Sequence, residues 1–229
     1  MRAVAIITAR GGSKRIPRKN IKDFCGKPII AYSIEAALNS GLFDEVMVST
    51  EDPEIAQIAQ DYGAAVPFFR SAENANDYAA TADVLREVLA DYAKQGKTFD
   101  YFACLYPTAP FVTPEKLQKG MSLLEQTSAD IIWPVVAYSF PPQRAFTLDD
   151  GGYLAWQYPQ YRLTRSQDLP TIYHDCGQFY CYNTDAFLNK PGEQLIKYPL
   201  IISETEVQDI DNLEDWQIAE MKYRLMVSK

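Results

Sequence analysis

The amino-acid sequence predicts an open, three-layer α/β fold with a mainly parallel sheet. Short runs rich in β-branched and aromatic residues alternate with segments whose apolar residues recur at helical spacing, which is typical of βαβ units. Glycines such as Gly41, Gly63 and Gly96 follow the helical segments and act as stop signals. The 229 residues are 47% hydrophobic and 23% charged, so the chain can bury a sizeable core. We expect a single domain over residues 1–229.

The βαβ pattern covers the first two thirds of the chain. The predicted strands are residues 4–8, 45–49, 66–69, 101–106 and 131–136. The predicted helices between them are residues 28–39, 53–62, 81–94 and 114–126.

The pattern changes after Tyr138, where the sequence becomes rich in Pro, Gly, Tyr and Gln. Residues 139–173, which include SFPPQRAF and DDGGYLAWQYPQYRL, predict a hairpin and an extended excursion. We expect this insertion to form a lid or a dimer contact. The sheet is predicted to resume at residues 178–182 and 200–203, before a closing helix at 213–226.

Composition excludes several classes of function. With 22 Lys and Arg against 30 Asp and Glu, the net charge is -8, so we expect no general affinity for nucleic acid or an anionic membrane. The apolar run at 3–7 is too short for a signal-peptide core or a membrane span, which predicts a cytoplasmic protein. The four cysteines form no C-x-x-C pair, and we expect free thiols with neither zinc nor a disulfide.

A basic loop follows the first predicted strand. In ITARGGSKRIPRKN, residues 7–20, five of fourteen residues are Arg or Lys. Ligands of open α/β sheets bind beyond the carboxyl ends of strands, where this loop would lie. Its two glycines would let backbone N–H groups approach phosphate oxygens, while Arg10, Lys14 and Lys19 add positive charge. The loop therefore predicts a polyphosphate site, and the alternative is a solvated turn with surface charges.

Two common nucleotide motifs are absent. The loop lacks the Walker A pattern and G-x-G-x-x-G, which disfavours a P-loop kinase or a nicotinamide dehydrogenase.

The sequence resembles the sugar-nucleotide cytidylyltransferases, which activate acidic eight- and nine-carbon sugars with CTP. The similar segments, in the family's order, are RGGSKRIPRKN, FCGKPIIAYSI, VSTEDPEIAQIAQDYGA, NDYAATADVL, LYPTAPFVTPE and DIDNLEDW. The loop is most similar to that of the acylneuraminate branch. The resemblance implies a Rossmann-like nucleotidyltransferase fold, CTP and an acidic nine-carbon sugar as substrates, Mg²⁺ as cofactor and a homodimer.

Within this family, YPTAP, SFPPQRAF and RSQDLPTIYHDCGQFY are most similar to the branch that acts on pseudaminic acid. Sialic acid enzymes carry Gln where this chain has Tyr106, and PNGAIY where it has residues 174–180. The resemblance therefore implies transfer of CMP from CTP to the anomeric hydroxyl of pseudaminic acid. Legionaminic or neuraminic acid as acceptor, or a non-catalytic nucleotide-binding protein on the same fold, are the alternatives.

The resemblance also implies a nucleotide site. Its residues are Arg10, Gly11, Gly12, Ser13, Lys14, Lys19, Asn20, Arg70 and Thr81. Arg10 and Lys14 are implied as catalytic with Asp211, since fixed cations neutralise the charge that develops as pyrophosphate leaves. Thr81 alternatively caps its helix. Asp77 is expected to order the loop before it, and Arg15 and Arg18 are interpreted as solvated.

A sugar site is implied at Tyr106, Arg144, Arg165, His174 and Gln178. The planar guanidinium of arginine can bind a carboxylate through two hydrogen bonds. His174, the only histidine of the chain, is interpreted as a recognition residue and not as a general base. Phe179 and Tyr180 are interpreted as core.

A metal site is predicted in QDIDNLEDW. Side chains alternate along an extended segment, so Asp209 and Asp211 share one side. Paired carboxylates suit Mg²⁺, a hard ion completed by phosphate oxygens and water. The alternative makes Asp211 the N-cap of the last helix, with Glu214 completing a pattern like a capping box.

Overall fold

The computed structural model describes residues 2–76 and 78–228. The strands in these ranges are β1 Ala3–Thr8, β2 Asp23–Phe24, β3 Lys27–Pro28, β4 Glu45–Ser49, β5 Tyr101–Leu105, β6 Ile131–Ala137, β7 Phe146–Leu148, β8 Leu154–Trp156, β9 Tyr173–Asp175, β10 Phe179–Asn183 and β11 Lys197–Ile201. The α-helices there are α1 Ile29–Ser40, α2 Pro53–Asp61, α3 Thr81–Lys94, α4 Pro114–Gln126, α5 Thr184–Asn189 and α6 Leu213–Val227.

The central sheet confirms the predicted α/β fold. Its strand order is β11-β6-β10-β5-β1-β4, and β9 pairs with the last residues of β6, beyond those that pair with β10. β1 is parallel to both β4 and β5, and β11 is parallel to β6, whereas β9 and β10 run antiparallel to their neighbours. The sheet is therefore mixed but mostly parallel. Residues 3–7 of β1 are at most 2% exposed, as expected for a strand covered on both faces.

Helices cover both faces of this sheet. Ala5 and Ile7 pack on one face against the apolar sides of α1, α2 and α4. Val4 and Ile6 point to the other face and pack against α3 and α5. This division follows from the alternation of side chains along a strand and gives the three predicted layers.

A third apolar cluster anchors the basic loop. Ile16 lies in the middle of that loop and is 1% exposed. It belongs to one cluster with Phe24 and with Trp216 of α6, so burial of its side chain fixes the loop against the rest of the domain. The rings of Phe24 and Trp216 meet edge to face with centroids 5.5 Å apart.

Two predicted strands differ from the structure. The strand predicted at 66–69 is wrong: the chain makes a single β-bridge at Ala65 and then leaves the sheet. Pro67 has no N–H group and cannot continue a ladder. The strand predicted at 200–203 begins earlier, as β11, and contains Pro199. β11 is an edge strand, where the missing N–H group of a proline is tolerated.

The insertion at 139–173 contains the predicted hairpin. β7 and β8 pair antiparallel and form a two-stranded sheet apart from the central one. Several large apolar side chains on this segment are exposed, including Phe140 at 86% and Leu163 at 85%. The segment returns to the central sheet through β9.

The four cysteines of the chain are free thiols: Cys25, Cys104, Cys176 and Cys181. Across residues 2–76 and 78–228, no helix combines the length and apolar character that crossing a bilayer requires.

Candidate active site

A cavity of roughly 500 Å³ lies at the carboxyl ends of β1 and β5. Residues from the basic loop, from the segment that leads into α3, and from the turn after β5 form its walls. The predicted site residues that line it are Arg10, Ser13, Lys14, Lys19, Asn20, Arg70, Thr81 and Tyr106. The structure therefore brings most of the predicted nucleotide site together with one residue of the predicted sugar site.

Gly11 and Gly12 do not line this cavity. The N–H group of Gly11 donates a hydrogen bond to Glu51 Oε1 at 2.6 Å. It is therefore already paired with a carboxylate and does not point to a phosphate site in the cavity. A Cβ atom on Gly11 would lie 2.6 Å from Asp52 Oδ2, whereas one on Gly12 would meet nothing within 4 Å. Packing against Asp52 is thus the local reason for glycine at position 11.

Hydrogen bonds hold the basic loop in shape. Asn20 is 6% exposed, and its side-chain amide donates to the carbonyl of Arg10 at 2.8 Å. Arg18 adopts a left-handed backbone conformation with φ of 54°, and its guanidinium pairs with Asp52 and Glu54 at the start of α2. Arg18 is therefore a structural cation and not a solvated one, contrary to the interpretation from the sequence.

The loop also contacts the paired aspartates. Ile210 is 1% exposed, so Asp209 and Asp211 project from the opposite side of the extended segment, as predicted. Lys19 donates from Nζ to the carbonyl of Ile210 at 2.7 Å, and Arg15 Nη2 lies 2.7 Å from Asp211 Oδ1. The side chain of Arg15 is 68% exposed, in line with the interpretation from the sequence, and it also lines the cavity.

Burial and neighbouring charges shift the pKa values of Asp209 and Lys19. Burial raises the pKa of Asp209, and the neighbouring negative charge of Asp211 raises it further. Burial lowers the pKa of Lys19, while the charges of the two aspartates oppose that shift. Lys19 lines the cavity, whereas Asp209 and Asp211 do not line it and lie beside the Lys19 ammonium group at its edge.

The capping alternative for Asp211 is wrong. Asn212 caps α6: its Oδ1 accepts from the N–H groups of Glu214 at 2.8 Å and Asp215 at 3.0 Å. Asp215 Oδ2 completes the capping box by accepting from the N–H of Asn212. Because the cap lies one residue later than expected, Asp211 has no capping role.

The capping alternative for Thr81 is also wrong. Ala80 is the N-cap of α3 and makes no side-chain cap, and Thr81 is already the first helical residue. The Thr81 hydroxyl contacts the phenol of Tyr106. Asp77, which was expected to order the preceding loop, lies outside the described residues.

The paired aspartates fit a magnesium ion. Within the described ranges, no three His, Cys, Asp or Glu side chains come together as a metal cage. Mg²⁺ uses one or two carboxylates together with phosphate oxygens and water. Asp209 and Asp211 match that donor set, provided that a bound triphosphate completes it.

Arg70 adds a cation to the cavity from outside the basic loop. Its side chain donates to Ser49 Oγ at 3.0 Å and to the Ser49 carbonyl at 2.6 Å, which ties it to the end of β4. Burial lowers the pKa of Arg70, and the charges of Glu51 and Glu87 oppose that effect. One oxygen of Glu51 is buried without a hydrogen-bond partner in the described part of the chain.

Tyr106 links the cavity to β10. Its N–H group donates to the carbonyl of Gln178 at 2.8 Å, and burial raises the pKa of its phenol. Its ring meets the ring of Tyr180 edge to face, with centroids 5.9 Å apart. The Tyr180 hydroxyl in turn donates to Asp175 Oδ2 at 2.7 Å.

The two arginines of the predicted sugar site lie outside the cavity. Both are exposed on the insertion. Arg144 Nη1 donates to Ser166 Oγ at 3.2 Å, and Arg165 forms an ion pair with Asp168 at 2.7 Å. Within one copy of the chain, neither guanidinium reaches the nucleotide residues.

His174 and Gln178 also lie outside the cavity. His174 is exposed on β9, with its ring 4.7 Å from that of Tyr138. Gln178 is 2% exposed, and its amide donates to the carbonyl of Glu206 at 2.7 Å. Their assignment to a sugar site stays a prediction, as do the roles of the residues that line the cavity.

Sequence reasoning missed four polar residues. Arg15, Glu51, Asp175 and Tyr180 make contacts that depend on the fold. The signal for Arg15 was its place in the basic loop. The sequence gives no local signal for Glu51, because its partner Gly11 lies on a separate segment. It gives none for Asp175 and Tyr180 either, because they pair across the turn between β9 and β10.

The structure is an open α/β fold with a cavity lined by cations at the carboxyl ends of its parallel strands. A family model described as Cytidylyltransferase matches residues 4–207. The chain belongs to that cytidylyltransferase family.

Relatives and a solved structure agree with this assignment. The chain is 39% identical to pseudaminic acid cytidylyltransferase of Campylobacter jejuni, over 98% of this chain and 97% of the relative. It is 32% identical to CMP-N,N'-diacetyllegionaminic acid synthase of Legionella pneumophila, over 96% and 95%. The structure of CMP:2-keto-3-deoxy-manno-octonic acid synthetase complexed with CTP matches in fold, with a TM-score of 0.70, 21% identity and coverage of 100% and 99%.

Gly11→Ala should destabilise the protein, while Gly12→Ala should not. The new methyl group at position 11 would overlap Asp52, which is held by Arg18 and by the cap of α2, so we expect a loss of about 1–3 kcal/mol. The matched change at position 12 meets open space and should stay within about 0.5 kcal/mol. Chemical denaturation of both variants measures the difference, and equal stabilities would contradict the packing assigned to Gly11.

Proposed function

We propose that the protein transfers CMP from CTP to the anomeric hydroxyl of a nonulosonic acid, giving a CMP-sugar and pyrophosphate. The acceptor we propose is pseudaminic acid. The observation that carries the proposal is the cavity in which the cations of the basic loop meet Arg70, next to the paired aspartates. Membership of the cytidylyltransferase family and the 39% identity to the Campylobacter enzyme support it.

In this proposal, the cations bind the triphosphate and stabilise the leaving group. The sugar hydroxyl attacks the α-phosphorus and gives up its proton to water, a new C–O–P linkage forms, and the bond between the α-phosphorus and the α,β-bridging oxygen breaks to release pyrophosphate. Arg10, Lys14 and Lys19 line the cavity, and in this proposal they neutralise the charge on departing pyrophosphate. Arg70 is held by Ser49 and needs no rearrangement to contribute.

Asp209 and Asp211 would hold Mg²⁺ in the complex with CTP. When bound, that ion supplies charge neutralisation at the phosphates and lowers the pKa of the attacking hydroxyl. Arg15 shields one oxygen of Asp211, and Lys19 lies beside both carboxylates, so the chain itself balances their charge before substrates bind.

We further propose a homodimer built on the insertion at 139–173. The exposed apolar side chains of this segment are unfavourable in water and would be covered by a second copy. In such an assembly, Arg144 and Arg165 of one copy are candidates for the sugar site of the other, where a guanidinium would suit the sugar carboxylate. The cytoplasmic location expected from the sequence stays a prediction.

A pyrophosphate-release assay with CTP, Mg²⁺ and a panel of acidic sugars tests the proposed function. We expect kcat/KM to be highest for pseudaminic acid, above N,N'-diacetyllegionaminic acid and N-acetylneuraminic acid. A higher value for either of the other sugars would refute the acceptor assignment. CTP binding without pyrophosphate release for every sugar would refute the enzyme and favour a binding protein.

Asp211→Asn should lower kcat without destabilising the fold. The amide keeps the size of the side chain but lacks the anionic oxygen that Mg²⁺ prefers, and Asn212 still caps α6. We expect kcat to fall about 10- to 100-fold, or about 1.4–2.8 kcal/mol. Asp209→Asn should behave alike.

Glu214→Gln is the matched control, because it removes a carboxylate on the exposed first turn of α6 and not one of the pair. It should change stability by less than about 1 kcal/mol and leave kcat unchanged at 25 °C. Full activity of both asparagine variants would refute the metal assignment.

A further inference from the structure

The segment that carries the paired aspartates has little regular structure of its own. Residues 204–211 connect β11 to α6 and contain one short 3₁₀ turn, Glu204–Glu206. Within the described ranges, residues 207–211 make no backbone–backbone hydrogen bond. Neither a strand ladder nor a helix therefore fixes the positions of Asp209 and Asp211, and other groups must hold them.

Side-chain donors from three separate elements hold the carbonyl groups of this segment. Gln178, at the turn between β9 and β10, donates from Nε2 to the carbonyl of Glu206 at 2.7 Å. Lys222 of α6 donates from Nζ to the carbonyl of Val207 at 2.7 Å. Lys19 of the basic loop supplies the third donor, to the carbonyl two residues before the end of the segment's aspartate pair is complete. The place of the aspartates thus depends on side chains far away in the sequence.

Gln178 also connects this segment to the cavity wall. Its backbone carbonyl accepts from the N–H group of Tyr106 at 2.8 Å, and Tyr106 lines the cavity. One residue therefore holds the turn after β5 through its main chain and the segment before α6 through its side chain. The separation between the cavity wall and the aspartate pair depends on that residue.

The burial of Gln178 indicates that the hydrogen bond, and not packing, is the role of its amide. The residue is 2% exposed, and its Oε1 is buried without a hydrogen-bond partner in the part of the chain that the structure describes. An unpaired buried oxygen is unfavourable. A methionine would fill the same space without that cost, so packing alone does not account for an amide here. The bond from Nε2 to Glu206 does.

We propose that Gln178 and Lys222 are positioning residues that hold residues 204–211 so that Asp209 and Asp211 can bind Mg²⁺ at the edge of the cavity. This inference rests on the proposed function, in which the pair holds that ion. Neither positioning residue touches the ion, because each acts through a backbone carbonyl of the segment. Gln178 thereby has a role other than the direct contact with the sugar that its sequence predicted.

Gln178→Met tests the inference, with Gln143→Met as the matched control. Gln143 is 6% exposed, donates from Nε2 to the carbonyl of Pro170 at 2.9 Å and has a buried, unpaired Oε1 among the described residues, but it lies on the insertion. The readout is Mn²⁺ binding to the CTP complex without sugar, followed by electron paramagnetic resonance with a nucleotide-only titration subtracted. We expect Gln178→Met to raise the Kd for Mn²⁺ roughly threefold to tenfold, and the control to leave it unchanged.

Lys222→Met is a second test, whose sign separates positioning from charge. Loss of a positive charge would by itself strengthen the binding of a cation. Loss of the hydrogen bond to Val207 should instead weaken it, so we expect a higher Kd for Mn²⁺. Lys119→Met removes an equal charge from an exposed position of α4 and should not raise that Kd. Thermal unfolding checks each fold, and Lys222→Met still tests the inference if Gln178→Met does not fold.

An unchanged Kd for Mn²⁺ would overturn the role of whichever positioning residue was replaced. Equal effects of Gln178→Met and Gln143→Met would also overturn the inference, since loss of any buried amide would then suffice. A raised sugar KM for Gln178→Met with an unchanged Kd for Mn²⁺ would overturn it in favour of direct contact with the sugar.

Asp211→Asn distinguishes failure of the inference from failure of the proposed function. If Asp211→Asn weakens Mn²⁺ binding and Gln178→Met does not, the inference fails and the metal assignment stands. If Asp211→Asn binds Mn²⁺ as the unchanged protein does, the metal assignment fails and the inference fails with it.

Discussion

The gathering of five cations in one short loop is the constraint on which the rest of the site depends. Like charges repel, so the loop keeps its shape only because other segments hold it. Ile16 buries an apolar anchor in the middle of the charges, Asn20 closes the loop on its own backbone, and Arg18 is bound by Asp52 at the start of α2. These restraints leave the remaining cations lining the cavity, ready for an anionic ligand.

The strand order divides the site into a cationic end and a neutral end. Parallel strands bring their carboxyl ends to one edge, so the segments after β1, β4 and β5 meet there although they are far apart in sequence. Arg70 and the basic loop make one end cationic, while Tyr106 and its neighbours make the other end neutral and rich in hydroxyls. Asp209 and Asp211 reach the cationic end from the segment before α6 and partly balance its charge.

Local patterns predicted the fold and most of the cavity, and non-local contacts account for what they missed. The alternation of β-rich and helical segments was sufficient for the α/β sheet, but Pro67 ended the pairing that the apolar run at 66–69 suggested. The N-cap of α6 differed by one residue because Asn212 competes with its neighbour for the same N–H groups. Tyr180 belongs to the core, as its sequence suggested, but the hydrogen bond from its hydroxyl to Asp175 is visible only in the fold.

The central claim is that the basic loop binds the outer phosphates of CTP, and calorimetric comparison of CTP with CMP tests it most directly. In the presence of Mg²⁺, CTP should bind at least about tenfold more tightly than CMP, since only CTP has the outer phosphates that can pair with the cations lining the cavity. Lys14→Ala should shrink that ratio, while Lys119→Ala, an equal charge change on exposed α4, should leave it unchanged. Equal affinities for CTP and CMP in the unchanged protein would contradict the account.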